Sequence, residues 1–287
     1  MDKNNAFCFR DLLLLIRPKQ WVKNLFVFSP LVFSGFMFDW EFFLNSLLAF
    51  LFFCFAASSV YIVNDLGDIE KDRLHPKKKF RPIASGKVSV LQSLFLLAGC
   101  YLVTFSSFLF NYKVALVLVA YVIVNFFYTK ILKNIPVVDI FIVALGFVFR
   151  VYAGALAIQV PVSNWMLITV LALSLYLAAV KREQELKNSG HVARISLKNY
   201  SSSLVKKYVE TSATCAIVFY SMFVLESKPN LVLTIPLILF GIFRYWYIVE
   251  NSDVGESPTD AVIQDKPILI IVLAWMGLVV YQLYFNI

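Results

Sequence analysis

Charge is scarce in this chain. Of its 287 residues only 15% are Asp, Glu, Lys or Arg, whereas 60% are hydrophobic, 28 of them Phe, and the mean hydropathy is +0.76. That composition excludes an ordinary soluble domain. Cysteine and histidine are also few. Cys8, Cys54, Cys100 and Cys215 are far apart with no CxxC pairing, so zinc binding, a redox dithiol and a disulfide framework are excluded and the four read as small hydrophobes. No long polar stretch exists either. The largest polar connections, 63–88 and 182–207, have about 25 residues each, too few for a separate core, so one membrane domain over 1–287 is expected. A secretory signal is not expected, because Leu12–Ile16 is brief and Arg17-Pro18-Lys19 interrupts it. The net charge of +8 comes without any nucleic-acid motif, so nucleic acid is not an expected partner.

What remains is an all-α, polytopic membrane bundle. Apolar stretches near the span length of about 20 residues occur at 24–38, 42–62, 89–109, 113–128, 136–156, 164–181, 208–226, 231–249 and 267–285, which predicts about nine transmembrane helices. With alternating direction, the N-terminus and the connections 63–88, 129–135, 182–207 and 250–266 share one face, and all but Lys113 and Lys228 of the 26 basic residues belong to it. The positive-inside rule makes that face cytoplasmic, giving a multi-pass protein of the cell (inner) membrane with its polar loops inside.

Acids then appear where apolar sequence ends. In Asn64-Asp65-Leu66-Gly67-Asp68-Ile69-Glu70-Lys71-Asp72, Asp65, Asp68 and Asp72 stand at i, i+3 and i+7, one stripe on a single α-helix. Clustered carboxylates near hydrocarbon need a cation, and a few hard oxygens facing substrate phosphates is how Mg²⁺ is commonly held. Asn64, Asp65, Asp68 and Asp72 are therefore the expected Mg²⁺ ligands. The alternative is a solvated helix end.

The loop that follows, Arg73-Leu74-His75-Pro76-Lys77-Lys78-Lys79-Phe80-Arg81-Pro82, supplies cations beside those acids, as a polyphosphate ligand requires. Lys78 and Arg81 are candidate phosphate contacts; His75 carries little weight alone. Upstream, Lys19 and Lys23 are four apart on an expected α-helix, next to Asn24. They suit either phosphate binding or snorkelling, with Trp21 as an interfacial anchor. Lys181, Arg182 and Glu185 share one helical turn, where the plain alternative is a Lys181–Glu185 ion pair. Tyr128 and Lys130 end another helix, and Arg150 lies in an apolar segment where it must find an anion or a carboxylate, with Asp139 as a partner for it or for Lys133.

These blocks resemble the UbiA superfamily of intramembrane prenyltransferases, and within it the polyprenyl-phosphate phosphoribosyltransferases. The resemblance is carried by RPKQWVKN at 17–24, NDLGDIEKDRLHPKKKFRPIASG at 64–86, YTKILKNIPVVDI at 128–140, FRVYAG at 149–154, KREQEL at 181–186 and GESPTDAVIQD at 255–265. Basic KREQEL stands where aromatic prenyltransferases carry a second DxxxD. The resemblance implies Mg²⁺-dependent transfer of 5-phosphoribosyl from phosphoribosyl diphosphate to a polyprenyl (decaprenyl) phosphate, with release of diphosphate, a step that serves cell-wall synthesis in known members. Asp65, Asp68 and Asp72 are then catalytic. Lys19, Lys23, Asn24, Lys78, Arg81, Tyr128, Lys130, Arg150, Lys181, Arg182 and Glu185 bind substrate. A phosphate acceptor is already an anion, so no triad is needed. Two readings stay open, an aromatic prenyltransferase and a lipid-phosphate transporter, and a homo-oligomer is compatible with either.

Overall fold

The computed structural model describes residues 9–75, 78–189, 196–251 and 264–285. Cys8, Pro76, Lys77 and most of the 255–265 block lie outside the described residues. Among the described residues the secondary structure is helical, with no strand. In chain order the α-helices are α1 (Phe9–Ile16), α2 (Ser29–Ser34), α3 (Trp40–Gly67), α4 (Ile69–Leu74), α5 (Val90–Phe110), α6 (Tyr112–Lys130), α7 (Val138–Ala157), α8 (Asn164–Ser189), α9 (Ser202–Ser227), α10 (Ile235–Asn251) and α11 (Lys266–Tyr284). Among the described residues, eight helical stretches are long and apolar enough to cross a membrane: α3, α5 to α9, α10 with the 3₁₀ turn before it, and α11.

The stretch expected as the first span, 24–38, is built differently. It continues a 3₁₀-helix, Pro18–Phe28, and then forms the six-residue α2. Pro18 at the start and Pro30 inside α2 each lack a donor. The steeper 3₁₀ rise of about 2.0 Å per residue makes this stretch long for its residue count, but no α-helix of spanning length forms.

The chain divides into two compact units. The first comprises Met1–Leu31, Met37–Lys130 and Phe149–Val160. Its centre is α3, capped by Asp39, whose carboxylate accepts the Glu41 and Phe42 backbone N–H groups. Ala49, Ala56, Ala57, Ser58 and Ser59 are buried along α3, and such small residues let α5, α6 and the 3₁₀-helix approach closely. A capping box, Ser89 with Gln92, starts α5. The second half of α7 packs on the 3₁₀-helix so tightly that a Cβ on Gly154 would lie 1.9 Å from the Val27 carbonyl oxygen.

The second unit comprises Val32–Phe36, Ile131–Val148 and Pro161–Ile287. It is organised by the antiparallel pair α8 and α9, joined at one end by a hydrogen bond from the Trp165 indole to Glu226. Inside the apolar layer Tyr220 meets Thr234 at 2.6 Å and accepts from the Trp275 indole at 2.9 Å. These bonds satisfy the buried Tyr220 hydroxyl away from water.

Candidate active site

Each unit has a buried cluster of charge. In the first, α3 delivers Asn64 and Asp65 at its last turn and then stops at Gly67; Asp68, at φ −111° and ψ 15°, separates it from α4, which carries Asp72. The expected single stripe is thus broken across two helices. Asp65 and Asp72 are turned inward, each 3% exposed. Asp68 is half-buried, with Lys71 at 4.0 Å.

Two arginines neutralise the inward pair. Arg81 places one nitrogen, Nη1, 3.0 Å from Asp65 Oδ1 and 2.6 Å from Asp72 Oδ2, and Arg17 Nη2 reaches Asp65 Oδ1 at 2.5 Å. Arg17 owes its direction to a left-handed backbone, φ 52°, just before Pro18, and its guanidinium covers the Tyr61 ring at 4.9 Å. Among the described residues no three His, Cys, Asp or Glu side chains gather closely enough to hold a metal ion. Two carboxylate oxygens within 3.0 Å of a common nitrogen nevertheless fit Mg²⁺, which is commonly held by one or two carboxylates with substrate phosphates and water completing the shell.

Around this pair the expected cations separate. Lys19 and Lys23 do not share a face: four residues at three per turn leave them about 120° apart, and Lys19 is exposed while Lys23 is half-buried. The Trp21 indole donates to Ser58 Oγ at 3.1 Å and its ring packs on Phe55. Asn24 is fully buried. It accepts from Arg150 Nε at 2.8 Å and donates to Cys54 Sγ at 3.2 Å. Arg150 is 4% exposed, and its guanidinium also meets the Tyr121 hydroxyl and lies 4.9 Å over Phe53. Lys78 is exposed, its backbone N–H donating to His75 Nδ1 at 3.3 Å. Tyr128 is half-buried and Lys130 exposed at the end of α6.

In the second unit Asp139, fully buried at the start of α7, receives Arg182 Nε at 2.7 Å, and Arg182 Nη1 donates to Glu185 at 2.8 Å. Arg182 is thus the arginine paired with Asp139, and it also pairs with Glu185 at i,i+3. Lys181 is half-buried. The Tyr200 hydroxyl donates to Asp139 Oδ1 at 3.0 Å and accepts the Val137 N–H at 2.5 Å. Val137 follows Pro136 at φ 68°, costly for a β-branched residue. Burial, and secondarily the charge of Asp139, raises the Tyr200 pKa, keeping it a proton donor. Arg17, Asp139 and Tyr200 were not expected as site residues. An arginine opening RPKQWVKN was a signal for the first; for Tyr200 the sequence offers none.

Three comparisons bear on this arrangement. The description UbiA prenyltransferase family matches residues 26–260. The decaprenyl-phosphate phosphoribosyltransferase of Mycolicibacterium smegmatis is 35% identical, covering 96% of this chain and 93% of that protein. Its counterpart from Mycobacterium tuberculosis is 34% identical over 92% and 91%. A UbiA homologue from Archaeoglobus fulgidus bound to GPP and Mg²⁺ shares the fold, with TM-score 0.72, 19% identity and coverage of 95% and 99%.

Proposed function

The chain belongs to the UbiA prenyltransferase family, and from that premise we propose that it transfers 5-phosphoribosyl from phosphoribosyl diphosphate to a polyprenyl phosphate such as decaprenyl phosphate. The observation that carries the reading is the buried Asp65–Arg81–Asp72 bridge in a chain about one-third identical to two such transferases. In the reaction the bond between ribose C1 and the diphosphate oxygen breaks, a lipid phosphate oxygen bonds to C1, and diphosphate leaves with the electron pair. Asp65 and Asp72, with Asn64 and Asp68 adjoining, would hold Mg²⁺. Bound there, Mg²⁺ supplies positive charge against the diphosphate as it departs.

The chain's own residues do the rest. Arg81 and Arg17 stand on the carboxylates and are placed to bind diphosphate oxygens through charge-assisted hydrogen bonds. Lys19, Lys23, Lys78, Tyr128, Lys130 and Lys181 are the candidates for the remaining phosphate oxygens. Asn24 with Arg150, and Asp139 with Arg182 and Glu185, are pre-ordered pairs that fix the polar surroundings of their units. The acceptor needs no general base, because a phosphate monoester is ionised near neutral pH. By charge asymmetry the site faces the cytoplasm of a cell membrane.

The test is to incubate purified protein with Mg²⁺, radiolabelled phosphoribosyl diphosphate and decaprenyl phosphate, then extract into organic solvent. Label entering the lipid fraction, and staying aqueous with a chelator, supports the assignment. No transfer, with product formed instead from a prenyl diphosphate and an aromatic acceptor, moves it to aromatic prenylation.

A further inference from the structure

The second unit contains a cavity of about 240 Å³ that none of the preceding chemistry uses. One wall is the face of α8 from Ile168 to Ala179, another the face of α9 from Tyr208 to Phe219, and Val137, Ile140 and Phe141 at the start of α7 form a third. On both helices the lining positions recur three and four apart, so each contributes a continuous stripe. Eleven rises along either helix make the slot about 16 Å long. Although Ser212 belongs to the lining, its hydroxyl donates to the Tyr208 and Val209 carbonyls of its own helix, so it offers a ligand little polarity.

Such a slot lies within helices that are long and apolar enough to span a membrane, where the surrounding solvent is hydrocarbon. A chain running along the helices matches its length and lining. Charge decides the kind of chain. Lys206 and Lys207 are exposed at the Tyr208 end beside Glu210, and Lys207 precedes Thr211 by four residues, on the same helical face. At the other end Glu226, engaged by the Trp165 indole, offsets Lys228, which caps α9, so the excess of positive charge is at the Tyr208 end. We propose that this slot is a binding site for an anionic phospholipid, with one acyl chain in the groove lined by α7, α8 and α9 and its phosphate at Lys207.

Cys215 lies halfway along the α9 stripe and reports occupancy. Full-length protein in detergent is treated with a lipid-soluble maleimide, with phosphatidylglycerol or phosphatidylcholine added, and alkylation of the Cys215 peptide is followed by mass spectrometry. Phosphatidylglycerol is expected to slow the reaction at lower concentration than phosphatidylcholine. Since a basic residue near an anionic surface contributes about 1 kcal/mol, Lys207→Gln should need about fivefold more phosphatidylglycerol for the same protection. Thr211→Trp, at an exposed position, should fill the slot and remove the lipid dependence with helicity unchanged. Equal protection by both lipids, an unshifted Lys207→Gln, or lipid dependence retained in Thr211→Trp would each overturn the proposal. So would protection that rises with protein concentration without lipid, which would assign the slot to a second copy of the chain.

Discussion

At the residue scale the sharpest expectations concern charges that share partners. Asp72→Asn takes from Arg81 one of the two carboxylates it bridges and should lower turnover by about 10²–10³-fold, the size seen when one pre-ordered charge stabiliser is lost. The labelled-lipid assay reads this, with thermal melting in detergent confirming the fold. The Asp139–Arg182 pair behaves differently. It is buried at both ends, so Asp139→Asn, which leaves Arg182 with Glu185 as its carboxylate partner, should cost stability, up to about 3–5 kcal/mol. Asp139→Leu with Arg182→Met should recover much of that, since a buried pair replaced as a unit is often neutral; a double-mutant cycle in denaturant titrations measures the difference. Tyr200 links this pair to pH. Its pKa is raised in the folded protein, so its contribution is complete below the unfolded value of about 10 and is lost as pH climbs from there toward the raised value. Tyr200→Phe should therefore flatten the stability decline above about pH 10, read by melting temperature against pH.

At the element scale the most exposed claim is the contact of α7 with the 3₁₀-helix. Gly154→Ala places a methyl against the Val27 backbone at 1.9 Å, where only movement of main chain can relieve it, so a loss of about 1–3 kcal/mol is expected; thermal melting beside Gly99→Ala, where nothing obstructs a methyl, checks it. The long apolar helices were legible because their composition and length suffice to define a span. The stretch at 24–38 was not, since apolarity is blind to the choice between three and 3.6 residues per turn. That choice also separated Lys19 from Lys23 and took Trp21 inward. Asp65 and Asp72 could be singled out, together with Asp68, from their spacing where the apolar sequence ends. Their outcome could not, because the bend at Asp68 and the arrival of Arg17 from 48 residues away depend on tertiary packing. Asp139 likewise found its arginine 43 residues on, one of several cations compatible with it by sequence.

For the whole molecule, basic-residue asymmetry predicts which ends face the cytoplasm. Cysteines introduced at Lys113 and Lys228 should react with an impermeant thiol reagent from outside intact cells, whereas one at Lys206 should react only after the membrane is opened. Labelling of all three from the same side would remove the topology and, with it, the cytoplasmic placement of the site. The same asymmetry suits a donor made in the cytoplasm and an acceptor confined to the bilayer.

The length of α3 has a consequence for where the chemistry takes place. Its 28 residues extend about 42 Å, against about 30 Å of hydrocarbon, leaving roughly 12 Å for tilt or for the headgroup layer. Asp65 near its end can thus work at a phase boundary. For the transfer proposed, the two products then part into different media, diphosphate into water and the lipid into two-dimensional diffusion. The two substrates divide in the same way, so forward and reverse transfer alike happen only where water and bilayer meet, and the boundary fixes the place of the reaction while the bonds exchanged fix its equilibrium.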